Sequence, residues 1–183
     1  QAVSRGLGDV YKRQEYRWTL ILALMTATVA LMIGWVMAAW GRTDARVGRW
    51  FDLLSIVPVL IPGPIVGLAV VQLFQSDLPG FRVLYQQTLV PTVIALLFRA
   101  GPASYWVLRA GYRGVSESVF DAAKLDRSWW GRLWQVDRPM LKKTLLSAFF
   151  VAAVIASGDV PATLPVLPPG VTTVGTRLFG LLH

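Results

Sequence analysis

Charge and tryptophan crowd into one stretch of this sequence, DAAKLDRSWWGRLWQVDRP, from Asp121 to Pro139. Elsewhere, groups able to do chemistry are sparse. There is no cysteine, so disulfides, thiolate chemistry and cysteine-based metal sites are excluded. The single histidine is His183, the last residue. No nucleophile–base pair, metal-ligand cluster or phosphate-binding loop of the G-x-x-x-x-G-K-[ST] kind is present. The chain is therefore expected to be no enzyme, to hold no metal and to bind no cofactor of its own. What remains for Asp121–Pro139 is the chemistry of recognition. Ser118 with Asp121 has the spacing of a weak capping box, and Ser128 can cap a second helix. Trp129, Leu133, Val136 and Met140 fall at helical spacing, with Trp130, Trp134 and Leu141 in the neighbouring row. Arg132, Gln135 and Arg138 are expected to face elsewhere, and Pro139 to bend the chain. Ala122 and Ala123 leave room for another surface to approach. This amphipathic elbow can lie on lipid, pack on its own chain, or dock a partner.

The elements that must position the elbow are apolar. Of the 183 residues, 55% are hydrophobic and 15% charged, and mean hydropathy is +0.53, too apolar for an ordinary soluble domain. A net charge of +8 can signal nucleic acid, but the basic residues sit mainly between apolar runs, as in a membrane protein; no nucleic-acid partner is expected. Trp18–Gly41 and Leu53–Ser76 each run 24 residues without charge, and about 20 suffice to cross a bilayer as a helix. A third run extends from near Val83 to near Leu108, interrupted by Arg99 and Pro102. The fourth, Leu145–Gly158, is short unless its helix begins at Pro139.

Eleven Lys and Arg residues fall in the loops after the first and third runs, against Arg82 and Arg177 on the opposite side. The positive-inside rule then places the elbow in the cytoplasm; Lys12, Arg13 and Arg17 run against it. Pro58, Pro62 and Pro64 interrupt the second run, with Gly63 and Gly67 beside them. Broken spans serve either as packing kinks or as linings of a path. Arg99 lies ten residues before Arg109, about 15 Å along a helix and near mid-membrane. It is either a structural arginine or one facing a path.

Asp121-Ala122-Ala123, followed by Lys124, Leu125 and Asp126 and then by Trp129, Trp130, Leu133, Val136 and Pro139, resembles the cytoplasmic loop of type I ABC importer permeases. That family is also described as binding-protein-dependent transport inner membrane components. Two departures stand out: Arg127 occupies the place of the usual glycine, and one residue is missing between Asp126 and Trp129. Asp159, Pro161-Ala162-Thr163-Leu164 and Pro168-Pro169-Gly170 resemble the following stretch in iron(III)-type permeases, and IPGPIVGLAV in the second run also has a familial look. The resemblance covers nearly everything from Trp18 onward. It implies an all-α, polytopic transmembrane bundle with short cytoplasmic coupling helices, in a bacterial inner membrane. It implies a permease subunit for iron(III) or a related small solute. ATP would be used by a separate ABC ATP-binding subunit that grips the Asp121–Pro139 loop. A periplasmic solute-binding protein, a second permease half and the lipid bilayer are the other implied partners. Arg99, Pro62 and Gly63, with Asp159 and Thr163, are the candidate path residues. The alternative is a secondary transporter or channel, which would not need the elbow.

Gln1–Gln14 resembles translated sequencing-adapter sequence and is expected to be a non-native leader. Residues 15–183 are expected to form the later half of such a permease, without its final span. The charge count generates a direct test. Single cysteines replacing Ser76 and Ser116 should label from opposite faces of the membrane, Ser116→Cys from the cytoplasm; labelling of both from one side would overturn this topology.

Overall fold

The structure is a computed structural model. It describes the backbone of residues 2–76, 79–126 and 128–182, and the side chains of residues 13–76, 79–122 and 128–181. Among the described residues the regular structure is entirely helical, as the all-α expectation required.

Helix α1 (Ala2–Thr43) contains the first apolar run, its helical backbone extending back through residues 2–14. It ends at Asp44, whose extended backbone and side chain cap the next helix: the Arg46 N–H donates to Oδ1 at 2.7 Å. Helix α2 (Ala45–Leu60) passes through Pro58 unbroken and stops at Ile61. The residue before a proline is pushed out of helical geometry, and Ile61, before Pro62, has φ −84° and ψ 126°. Helix α3 (Gly63–Phe74) leaves at 99° to α2. The expected break in the second run is therefore real, and it falls at one of the three prolines.

The third run divides elsewhere than expected. Helix α4 (Phe81–Gln87) ends at Thr88, and α5 (Val90–Arg113) continues at 84° to it. Arg99 and Pro102 do not interrupt α5. Pro102 removes one intrahelical donor, but it is buried on the side of α5 that faces α1 and α2, and packing against α5 holds the helix through it. Helices α6 (Glu117–Asp126), α7 (Trp129–Arg132) and α8 (Arg138–Met140) form the elbow, with a π-helical turn at Leu133–Asp137. Helix α9 (Lys142–Gly158) starts after the elbow and not at Pro139; the bend is at Leu141, 85° between the elbow and α9. Short α10 (Val160–Thr163) and α11 (Val174–Leu182) complete the chain.

Helices α1, α5 and α9 form the centre, and small residues let them approach. Ala27, Ala30, Ala38 and Ala39 of α1 and Ala148 and Ala152 of α9 are fully buried. Without a hydrophobic drive between helices in lipid, this close packing is what holds them together. The outward faces are apolar as well: Leu146, Phe150 and Val154 on α9, and Leu53, Val57 and Leu60 on α2, are exposed. Apolar surface on this scale marks a lipid or protein environment. By length and composition one helical stretch, Arg13–Thr43, can cross a membrane alone, and up to four spans exist if each bent pair counts as one.

The start of α2 lies against the end of α1. A Cβ on Gly48 would lie 2.5 Å from the Gly41 carbonyl oxygen and 2.6 Å from an Arg109 guanidinium nitrogen. Gly48→Ala should lower thermal stability in detergent by about 1–3 kcal/mol through overpacking. Gly101→Ala, whose Cβ would meet nothing within 4 Å, should not. Equal stability of the two variants would contradict this contact.

Candidate functional site

The elbow is built on one capped turn and one polar lock. Ser116, not Ser118, precedes α6; Ser118 lies within its first turn and bonds to the Ser116 hydroxyl. Ser128 caps α7 as expected, accepting from the Gly131 N–H at 3.3 Å. Of the residues matched to the coupling motif, Asp121 and Ala122 are exposed on α6. The backbones of Ala123, Lys124, Leu125 and Asp126 continue that helix, but their side chains lie outside the described residues, as does Arg127 altogether. Trp129 packs, half-buried, against the core that includes Leu133 and Leu141. Trp130 is exposed, Val136 half-buried and Pro139 exposed.

Two side chains depart from the helical-wheel expectation. Arg132 does not face away: it is 4% exposed. Asp137, to which the sequence reading gave no role, is 0% exposed. The π-helical turn is the physical reason. Its wider i→i+5 winding brings Arg132 and Asp137, five residues apart, to the side that Leu133 and Leu141, each four residues from Asp137, share with it. Met140 and Trp134, expected in the apolar rows, are left exposed.

Asp137 is the hub of this side. The Tyr112 hydroxyl of α5 donates to its Oδ2 at 2.9 Å, and Trp35 Nε1 of α1 donates to the Tyr112 hydroxyl at 3.1 Å. Arg132 Nε stands 3.8 Å from the same carboxylate oxygen. Burial pushes the Asp137 carboxyl above the ordinary carboxylate range, opposed by Tyr112, Arg132 and Arg42. Arg42 fixes the other end of the loop. Its guanidinium donates to the carbonyls of Tyr112 and Val115 as α5 ends, and sits 4.2 Å from the centre of the Phe120 ring on α6. The elbow is thus tied to α1 and α5 from both sides. Only the spacing of the apolar residues hinted at an inward face; nothing local marked Tyr112 or Trp35 as partners of Asp137.

A second cluster lies around Arg99, in the N-terminal half of α5. It gathers four of the five candidate path residues. Arg99 Nε is 4.0 Å from Asp159 Oδ2, at the end of α9. Both atoms are buried and neither has a hydrogen bond. A Cβ on Gly63, at the start of α3, would lie 3.3 Å from the Ala162 nitrogen and 3.4 Å from Asp159 Oδ1. Thr163 turns inward on its own helix, donating to the carbonyl of Asp159 or Val160. Pro62 stays exposed beside the break. The stretch that follows is strapped down by Thr92, which donates to the Val166 carbonyl at 2.8 Å, and by Tyr85, which donates to the Pro165 carbonyl at 3.0 Å. Charge alone marked Arg99; its pairing with Asp159 comes from α5 and α9 lying side by side.

The family described as Binding-protein-dependent transport system inner membrane component matches residues 19–179. A protein of Salmonella typhimurium named "Putative 2-aminoethylphosphonate transport system permease protein PhnV" is 27% identical over 172 residues, covering 90% of this chain and 63% of that protein. The glycine betaine/carnitine transport permease protein GbuB of Listeria monocytogenes is 26% identical over 168 residues, covering 88% of this chain and 52% of that protein. The chain therefore spans less than two thirds of the length of these relatives. Both are named for solutes other than iron(III), so the iron-type part of the resemblance gains no support from them. The match over most of the chain, together with a helical, outwardly apolar structure, establishes a membrane protein that belongs to the binding-protein-dependent transport system inner membrane component family.

Proposed function

We propose that this chain is the permease part of an ATP-driven importer, multi-pass in a bacterial inner membrane, with its elbow facing the cytoplasm. An ABC ATP-binding subunit docks on the elbow, a periplasmic binding protein delivers the solute, and a second permease half completes the path. The observation that carries this reading is the polar lock. A loop that only connected two helices would not need a buried carboxylate wired to two others. Here Asp137 joins the elbow to α5 through Tyr112 and to α1 through Trp35. A pull on α6 and α7 is thereby passed to the helices that would line the path. Ala122, small and exposed on α6, suits a surface that a partner approaches closely.

For the cargo, the named relatives favour a small organic solute bearing both an ammonium and an acid group, since 2-aminoethylphosphonate, glycine betaine and carnitine share that chemistry. Iron(III) rests only on the Pro161–Leu164 and Pro168–Gly170 resemblance. The Arg99–Asp159 pair supports a path residue role for both, with Pro62, Gly63 and Thr163 around the helix break. A channel or secondary transporter would leave the lock without a task.

Two variants separate docking from transmission. Ala122→Glu should reduce co-purification of the ATP-binding subunit with the complete transporter, because a bulky carboxylate fills the approach. Tyr112→Phe should leave co-purification intact yet reduce solute uptake per ATP hydrolysed. It strips Asp137 of its one hydrogen-bond donor, at a cost of about 1–3 kcal/mol for the buried group. Normal docking and uptake in both variants would refute the elbow's role. For the path, Arg99→Leu should cut uptake with assembly intact, and exchanging Arg99 and Asp159 should likewise keep abundance but not uptake. Full uptake in the exchanged protein would make the pair structural.

A further inference from the structure

Beside the elbow lies a polar cavity of about 540 Å³, between the ends of α1 and α5, the start of α2, and α6–α7. Five arginines line it: Arg42, Arg49, Arg109, Arg113 and Arg132. Three acids, Asp52, Glu117 and Asp121, line it too, so the wall carries more positive than negative charge. Most of these arginines are committed. Arg42 holds backbone carbonyls, Arg132 faces Asp137, and Arg109 donates to Asp52 at 3.3 Å. Arg113 meets Asp52 only at 3.9 Å and is 64% exposed. Arg49 is exposed and makes no ion pair or hydrogen bond with the described residues. Two guanidinium groups are thus available to an anion at the mouth. The Nε of Arg132, buried, lacks a hydrogen bond.

The same three helices form a second space deeper in the bundle. It is an apolar groove of about 170 Å³, lined by Ala30 and Gly34 of α1, Leu54 and Pro58 of α2, and Gly101 and Tyr105 of α5. The two spaces meet at one hydrogen bond: Tyr105, in the groove, donates to Asp52 Oδ1, in the polar cavity, at 2.6 Å. Arg113 and Gly101 are twelve residues apart on α5, so the head and the groove are separated by about 18 Å along the helix. Exposed Trp40 and Trp50 flank this end of α1 and α2, where tryptophan marks the headgroup level of a bilayer.

From this juxtaposition we infer that the α1–α2–α5 cleft binds an anionic phospholipid, with its phosphate on Arg49 and Arg113 and an acyl chain in the groove at Gly101. Basic pockets between transmembrane helices recognise such headgroups. An acidic protein segment would satisfy the arginines but has no use for the apolar groove in line with them. The lipid would sit between the coupling elbow and the helices it moves, so its occupancy would stiffen that junction.

The test is native mass spectrometry of the full chain, in detergent, with added dioleoyl phosphatidylglycerol or dioleoyl phosphatidylcholine. Phosphatidylglycerol should be retained in preference. Arg49→Gln should reduce its retention about fivefold, the scale of one arginine at an anionic surface. Gly101→Leu leaves every charge in place and its Cβ meets nothing within 4 Å, so it should fold, fill the groove and also reduce retention. Arg113→Gln is the second head-side variant should Arg49→Gln be poorly produced. Glycerol phosphate, which has no acyl chain, should not displace the lipid. Equal retention of both lipids, or retention indifferent to Arg49→Gln and Arg113→Gln, would overturn the site. Displacement by glycerol phosphate with no effect of Gly101→Leu would make it a free-phosphate site instead. Loss of retention in the assembled transporter would mean that a protein partner fills the cleft, and would equally overturn the proposal.

Discussion

The hydrogen bond from the Tyr112 hydroxyl to the Asp137 carboxylate sets the geometry of everything at the elbow end of this molecule. A carboxyl taken wholly out of water must be bonded or paired, and among the described residues Tyr112 at 2.9 Å and Arg132 at 3.8 Å reach it. Asp137 points inward between Leu133 and Leu141, and the turn before it widens as a π segment, which lets Arg132, five residues back, share that side. Once that turn is set, Arg132 is drawn in, Trp134 is turned out, and the chain reaches Leu141 at the angle that launches α9. The hydroxyl itself is positioned by Trp35 from α1. One buried acid thus requires a cooperating residue from each of the helices it touches.

The middle of the molecule depends on the opposite kind of contact. Alanines at the faces of α1 and α9, and glycines where backbones nearly touch, allow close approach without polar cost. Apolar side chains are spent on the outside instead. Two of the polar clusters, around Arg99 and around Tyr112, are built on α5. Arg99 and Tyr112 are thirteen residues apart, about 20 Å along one continuous helix. The Arg99–Asp159 pair and the Tyr112–Asp137 lock are therefore joined by a rigid element that Pro102 does not break. A displacement of the elbow acts on the far cluster through that rod, and this is the mechanical basis of the proposed coupling.

The break at Ile61–Pro62 belongs to the same design. By ending α2 there, it delivers Gly63 against Asp159 and Ala162, and Gly67 against the chain at Pro165, where no larger residue would fit. The far cluster thus combines a charge pair, a helix end and a helix start, drawn from four separate segments.

The sequence by itself determined the helical class, the apolar runs, a proline-broken second run and the capping role of Ser128. These follow from local causes: uncharged length, the restriction that proline imposes on its predecessor, and a hydroxyl within reach of a free N–H. It also marked Arg99, because an arginine inside an apolar run is unusual wherever it lies. Tertiary structure decided the rest. Arg132 read as a polar-face residue and Asp137 had no assigned role, yet the π turn packed against α1 and α5 holds both inside. Arg99 found Asp159 across 60 residues of chain, and Tyr112 found Asp137 across 25. Pro102 read as an interruption, yet flanking helices hold α5 through it. Pairings between distant segments depend on which helix faces lie together, and no local pattern of side chains encodes that.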